Sequence, residues 1–481
     1  MIQRGLLALC VLFLSHSIHC FAQSDFELPD TPASEIFRDF IAAYNSGSQK
    51  NIESFVKANY SSVDSSKLSE KTDYWMDIYY RFGEAKIHSL SINEPFDIEV
   101  WLQGTISKAW FAPEFILNKE SKKIRALGML LGTQPPGTVT PAENEEDFIK
   151  KLKEYLESNN QNGLFQGTVL IQKDDIVLIK EAYGLKNISK KEPNEIETKM
   201  NLASVTKIIT SIAVMQLVQD GKLDLYTPIL DYLPELPEQI GRKITISHLL
   251  NHTSGYELDE IIGFRSELEK TNSMSEVYTL HLKYLPEWEN FKDFTIPGKF
   301  NYSNDSFDLL AIIIEKVSGL TFPEYLKQNI FDPAKMMNTS FDSADMAKPY
   351  RYDISCSGLM DCTSYYPNTT GQISGAAELK STVEDLRSLF TSLMNTDDLL
   401  DMPHKCMLAS PVTRRVGQDY QSLGLEINYE TVLNIGHSGV NIGNSTEMQY
   451  FPNCGYLLIV LCNNRSGAPN FYNFFKNNLP K

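Results

Sequence analysis

Ser204-Val205-Thr206-Lys207 is the first stretch of the chain whose side chains can do covalent chemistry. A serine and a lysine three residues apart share one face of a helix, close enough for the lysine nitrogen to polarise the hydroxyl. The spacing alone means little, because Ser54-Phe55-Val56-Lys57 has it too. Context separates the two. Ser204 leads into the apolar run Ile208-Ile209-Thr210-Ser211-Ile212-Ala213-Val214-Met215, ended by Gly221, whereas Ser54 reads as part of a surface helix. A buried helix with a serine at its positive end aims backbone N–H groups at the place of reaction. The plainer reading makes Ser204 a helix cap and Lys207 a solvated charge.

Tyr302-Ser303-Asn304 follows Pro297-Gly298-Lys299-Phe300 and precedes a second apolar segment, Leu309 to Ile314. In a turn ahead of a buried element, a phenol whose pKa is lowered by a neighbouring cation can act as a general base, and an amide can hold a substrate carbonyl. Tyr366-Pro367-Asn368 repeats the spacing in a loop, where an asparagine more often serves the backbone. The third group, His437-Ser438-Gly439, falls on a late strand with glycines at 436, 439 and 443. Glycines there permit close approach of another backbone, and a sheet edge can bind an extended substrate and donate an N–H to an oxyanion.

The elements that must position these residues form two units. From Ser34 to about Gly132 helical spacing (Ile36, Phe37, Phe40, Ile41) gives way to extended stretches at Ala85–Ile92, Ile98–Leu102 and Lys123–Leu131. This predicts a small α+β domain over 23–132, which resembles NTF2-like cone folds. Residues 133–147, with Pro135-Pro136-Gly137 and then Glu143, Glu145, Glu146 and Asp147, read as a linker. The unit 148–481 opens with a hairpin, Gly167–Lys173 and Ile176–Ile179 about Asp174-Asp175, and closes with strands at Leu433–Gly436, Thr446–Phe451 and Gly455–Cys462 and a helix at Asn470–Asn478. Strands at both ends with helices between predict an α+β fold: one antiparallel sheet flanked by helices, plus a helical subdomain.

The whole chain narrows the function classes. Its 481 residues are too many for one ordinary core, and a net charge of −17 with no basic run argues against nucleic-acid binding. Residues 1–22, with Arg4, an apolar stretch from Leu6 to Leu14 and Ala22 before Gln23, read as a secretory signal, and the stretch is far short of the ~20 residues that span a bilayer. The expected location is periplasmic or extracellular. Outside that segment lie Cys356, Cys362, Cys406, Cys454 and Cys462, an odd number whose spacing with histidines shows no zinc pattern. Cys356 and Cys362 are placed to close a short loop, although sequence fixes no pairing.

Ser-x-x-Lys, Tyr-x-Asn and His-Ser-Gly in that order resemble the class C beta-lactamases and their relatives, which include D-alanyl-D-alanine carboxypeptidases, D-aminopeptidases and family VIII esterases. The resemblance covers Gly167 to Asn464 and takes in His248-Leu249-Leu250-Asn251-His252-Thr253-Ser254-Gly255 and Phe331-Asp332-Pro333 with Met336. It implies that Ser204 is the nucleophile, that Lys207 helps deprotonate it, and that Tyr302 serves as base and later protonates the leaving group. It further implies that Asn304, His437, Ser438 and Gly439 contact substrate, that the N–H groups of Ser204 and Val440 form the oxyanion hole, that His252 is structural, and that no metal or organic cofactor takes part. The family usually has Lys at the position of His437, where its charge holds a substrate carboxylate. A histidine, with an ordinary pKa near ~6.5, shifts the expectation from penicillins toward esters or D-amino-acid peptides. The rival expectations are a true class C-type beta-lactamase and a non-catalytic acyl-binding or partner-docking protein.

Overall fold

Helix α1 (Pro32–Asn45) starts where Thr31 accepts a hydrogen bond from Ser34 N and Pro32 fills the first turn, and α2 (Gln49–Asn59) starts where Ser48 accepts from Asn51 N. With α3 (Ser65–Phe82) they pack on an antiparallel sheet of β1 (Ala85–Glu94), β2 (Asp97–Gly104), β3 (Trp110–Leu117) and β4 (Ile124–Leu131), paired in chain order. An aromatic core of Phe37, Phe40, Phe55, Trp75 and Phe115 joins helices to sheet. The sequence reading has no strand where β3 lies, because Pro113 interrupts the pattern that marks one. The computed structural model describes residues 28–480 except 62–64, 106–109, 132–134, 136–140, 162, 259–260, 262, 289–296, 354–357, 364–371, 416–418 and 430–431. The signal segment, Cys356, Tyr366-Pro367-Asn368 and linker residues 133, 134 and 136–140 lie outside the described residues.

Helix α4 (Glu145–Gln161) begins inside the stretch read as linker: Glu145, Glu146 and Asp147 form its first turn, where negative charge meets the positive end of the helix dipole. The expected hairpin is β5 (Gly167–Lys173) and β6 (Ile176–Tyr183), turning at Asp174 with φ 51°. These two strands complete an eight-stranded antiparallel sheet. Its order is Thr413–Arg414, Tyr420–Gln421, Glu426–Asn428, Asn434–Val440, Ser445–Phe451, Tyr456–Cys462, β5 and β6. The strand Tyr456–Cys462 shows why its sequence is an unbroken apolar run. Leu457, Ile459 and Leu461 enter the core on one face, while Tyr456, Leu458, Val460 and Cys462 enter the core formed with α4 and the helix Gly467–Asn478 on the other. Helix α5 (Thr206–Gln219) is buried on nearly every side under the first of these cores, together with the helix Asp305–Ser318. Among the described residues no helix is long and apolar enough to cross a membrane.

Candidate active site

Ser204 sits in a single tight turn, Ala203–Val205, that feeds into α5. It does not cap the helix: α5 starts at Thr206, and no side chain caps its first turn. Ala203 holds a left-handed backbone conformation, φ 45°, which costs a non-glycine residue roughly 1–3 kcal/mol. The neighbours impose it. Ala203 N donates to Asn201 Oδ1 at 2.7 Å, Leu202 N to Leu379 O at 2.8 Å, and Thr446 Oγ1 to Leu202 O at 2.7 Å.

One helical turn further, Lys207 is fully buried. Its Nζ lies 3.1 Å from Ser204 Oγ, 2.8 Å from Asn304 Oδ1 and 2.9 Å from Ala376 O. The two carbonyl oxygens can only accept. An ammonium donates along all three contacts, whereas a neutral amine donates to the two carbonyls and turns its lone pair on the Ser204 hydroxyl. Lys207 Nζ also lies 4.9 Å from the centre of the Tyr302 ring.

Tyr302 stacks on His252, with ring centres 4.3 Å apart at 26°, and its phenol hydrogen-bonds Ser204. His252 is fully buried and receives Ser303 N on Nδ1 at 3.1 Å. Burial, and then the charge of Lys207, hold its pKa well below the usual imidazole value, so it is a neutral prop for the tyrosine turn. Burial raises the Tyr302 phenol above the ordinary tyrosine range, and the opposing pulls of Ser204 and Arg415 do not reverse it. This corrects the expectation of a phenol lowered by a neighbouring cation. The ring is half-buried against His252, and this partial loss of water favours the protonated phenol at rest.

The strand Asn434–Val440 runs past Ser204. A Cβ built on Gly439 would lie 3.0 Å from Ser204 N and 2.5 Å from Leu202 O, so only glycine lets the strand come this close. Ser438 Oγ donates to buried Glu447 at 2.8 Å, and Ser438 N points at Glu426, which pairs with Arg415 at 2.7 Å. His437 is 1% exposed, with Nδ1 2.6 Å from Ser438 O and its ring 6.3 Å from that of Tyr302. Burial pushes its pKa down, against the pull of Glu426. The imidazole therefore lies behind the tyrosine and does not line the cleft.

That cleft, about 310 Å³, is lined by Ser204, Asn304 and Val440 from the sequence motifs. It is also lined by Arg265, Glu269, Gln372, Ala376, Ala377, Glu378, Asn441 and Ile442, none of which carries a motif. The run Ser374-Gly375-Ala376-Ala377 was the one legible hint, since small residues let Gly375 pack on Phe307 O and bring Ala376 O to Lys207. Glu378, at φ 74°, accepts from Asn201 Nδ2 at 2.9 Å.

A buried lysine on a serine, a tyrosine within reach and a strand edge beside the serine N–H make an apparatus for acyl transfer. Comparison with known proteins agrees. The Beta-lactamase family profile matches residues 148–474. A penicillin-binding protein of Bacillus subtilis (strain 168) is 28% identical over 342 residues, covering 67% of this chain and 72% of that protein. Protein flp of Staphylococcus aureus is 27% identical over 66% of this chain, and the match spans 63% of its length. The crystal structure of a penicillin binding protein from Bacillus halodurans is 26% identical with a TM-score of 0.56, covering 67% of this chain and 97% of that one. D-amino acid amidase from Ochrobactrum anthropi SV3, 19% identical with a TM-score of 0.57 over 69% of this chain and 98% of its own, shares the fold. The chain belongs to the beta-lactamase family of serine hydrolases.

Proposed function

We propose that Ser204 attacks ester or amide carbonyls and forms an acyl-enzyme. The observation that carries this is the contact of Lys207 Nζ with Ser204 Oγ at 3.1 Å, held by Asn304 and Ala376. Lys207, as the amine, takes the serine proton. Tyr302, protonated at rest, hands its phenolic proton to the leaving group, and a water then releases the acyl group along the same route. Asn304, with its oxygen on Lys207, offers Nδ2 to a substrate carbonyl. The N–H groups of Ser204 and Val440 receive the oxyanion, and Ser438 and Gly439 hold that strand in register. His437 backs Tyr302 from the interior.

Substrate preference follows from the cleft wall. Glu269 and Glu378 stand there beside Arg265, an acidic balance that suits an acyl group bearing an amine better than the carboxylate of a beta-lactam. D-amino-acid esters, amides and short peptides fit this description. The experiment is a kinetic panel of D- and L-amino-acid nitroanilides, nitrophenyl esters and nitrocefin at one pH. We expect the highest kcat/KM for a D-amino-acid derivative with a free amine; nitrocefin turned over as fast would return the class C-type beta-lactamase reading.

We further propose that residues 23–132 form a separate domain, supported by a core of their own, and that residues 1–22 direct export. N-terminal sequencing of the protein recovered from a cell's exterior checks the second point.

A further inference from the structure

Three chemistry-bearing side chains meet behind Asn304. His281 comes from the helix Met274–Trp288, and Asp305 and Asp308 from the first turn of Asp305–Ser318. One donor atom from each lies within 4.8 Å of the other two, and the residues are 0%, 1% and 2% exposed. His281 Nε2 is buried without a hydrogen-bond partner and faces Asp305 Oδ1 across 3.9 Å. That is too long for a hydrogen bond.

The outer contacts of the cluster are those that orient metal ligands. Tyr256 Oη meets His281 Nδ1 at 3.1 Å, leaving Nε2 turned to the carboxylates. Leu258 N donates to Asp305 Oδ2 at 2.6 Å, and Ser374 Oγ and Gly375 N donate to Asp308 Oδ1 at 2.7 and 2.9 Å. Both aspartates also line the cleft beside Ser204, which gives an ion a way in.

We propose that His281, Asp305 and Asp308 bind one divalent cation of the zinc class. One imidazole nitrogen and two carboxylates are a donor set that Zn²⁺ accepts at ~2.0–2.2 Å. Two such bonds span at most roughly 4.4 Å, so the widest donor pair closes slightly on the ion. The ion ties the two helices together directly after Asn304 and takes no part in the acyl chemistry. It is independent of the reading of Ser204, and either can fail alone. Arg265, on the same cleft wall, is the competing source of positive charge.

The test uses the full chain without a histidine tag, stripped with chelator and then titrated with zinc alone, with metal content by mass spectrometry and melting temperature as readouts. We expect one equivalent per chain and a rise in Tm of several degrees. Both are lost in His281→Phe, which keeps an aromatic ring, and separately in Asp308→Asn, and the melting curves without zinc report whether each variant folds. No uptake by the wild type, or uptake undiminished in a folded variant, overturns the site and leaves the charge balance to Arg265.

Discussion

Ser54 with Lys57 and Ser204 with Lys207 have the same sequence spacing and opposite surroundings. On α2, Ser54 Oγ donates to Lys50 O at 2.8 Å and Lys57 pairs with Glu53 at 2.5 Å, with the lysine side chain 59% exposed. Each turns to a partner on the preceding turn of the helix. Lys207 is 0% exposed, and its nitrogen has the Ser204 hydroxyl as one of three partners. Spacing puts two side chains on one face of a helix. Burial, and acceptors brought from distant parts of the chain, hold the Lys207 nitrogen on the Ser204 hydroxyl, the pair we propose to be reactive.

Replacing each lysine by methionine, which keeps the length and removes the charge, separates the two pairs most strongly. We expect Lys207→Met to lower kcat by about 10²–10⁴-fold, the span of a lost acid–base group, and Lys57→Met to leave it unchanged. Steady-state kinetics on one nitrophenyl ester checks both. A smaller effect, about 10²-fold on kcat with KM nearly constant, is expected for Tyr302→Phe. Its pH dependence sharpens the assignment. A phenol that donates must be protonated, and burial raises its pKa, so activity persists past the ordinary tyrosine range and declines only as pH climbs through the raised value. A phenolate base would give the reverse, a rate that rises with pH over the same interval. The smallest effect, about 10-fold, is expected for Gly439→Ala, whose added Cβ would meet Ser204 N and Leu202 O and push the strand off the oxyanion position.

Much of this was legible in the sequence. The continuous apolar run after Lys207 marks α5 as buried, and the strand expected over Gly455–Cys462 forms as Tyr456–Cys462. Ser204, Lys207, Tyr302 and Asn304 do converge. Other parts were not legible because they depend on what lies over each face. The period of a strand places His437 on one side of the sheet but does not reveal that the tyrosine turn covers it. Ala376 contributes through its backbone oxygen, for which no residue type is a signal. Glu378 comes from a loop and Arg265 from the short helix Phe264–Leu268, which only the fold brings to the cleft. His281 and Asp305 belong to different helices, so their meeting leaves no spacing pattern.

Of the two serines only Ser204 is the proposed nucleophile, and covalent labelling distinguishes them. The full chain is treated with a fluorophosphonate, digested, and the modified peptide identified by mass spectrometry, with Lys207→Met run beside the wild type. We expect a single adduct on Ser204, none on Ser54, and slower labelling in the variant. An adduct on any other serine, or ester hydrolysis that survives in Ser204→Ala, would contradict it.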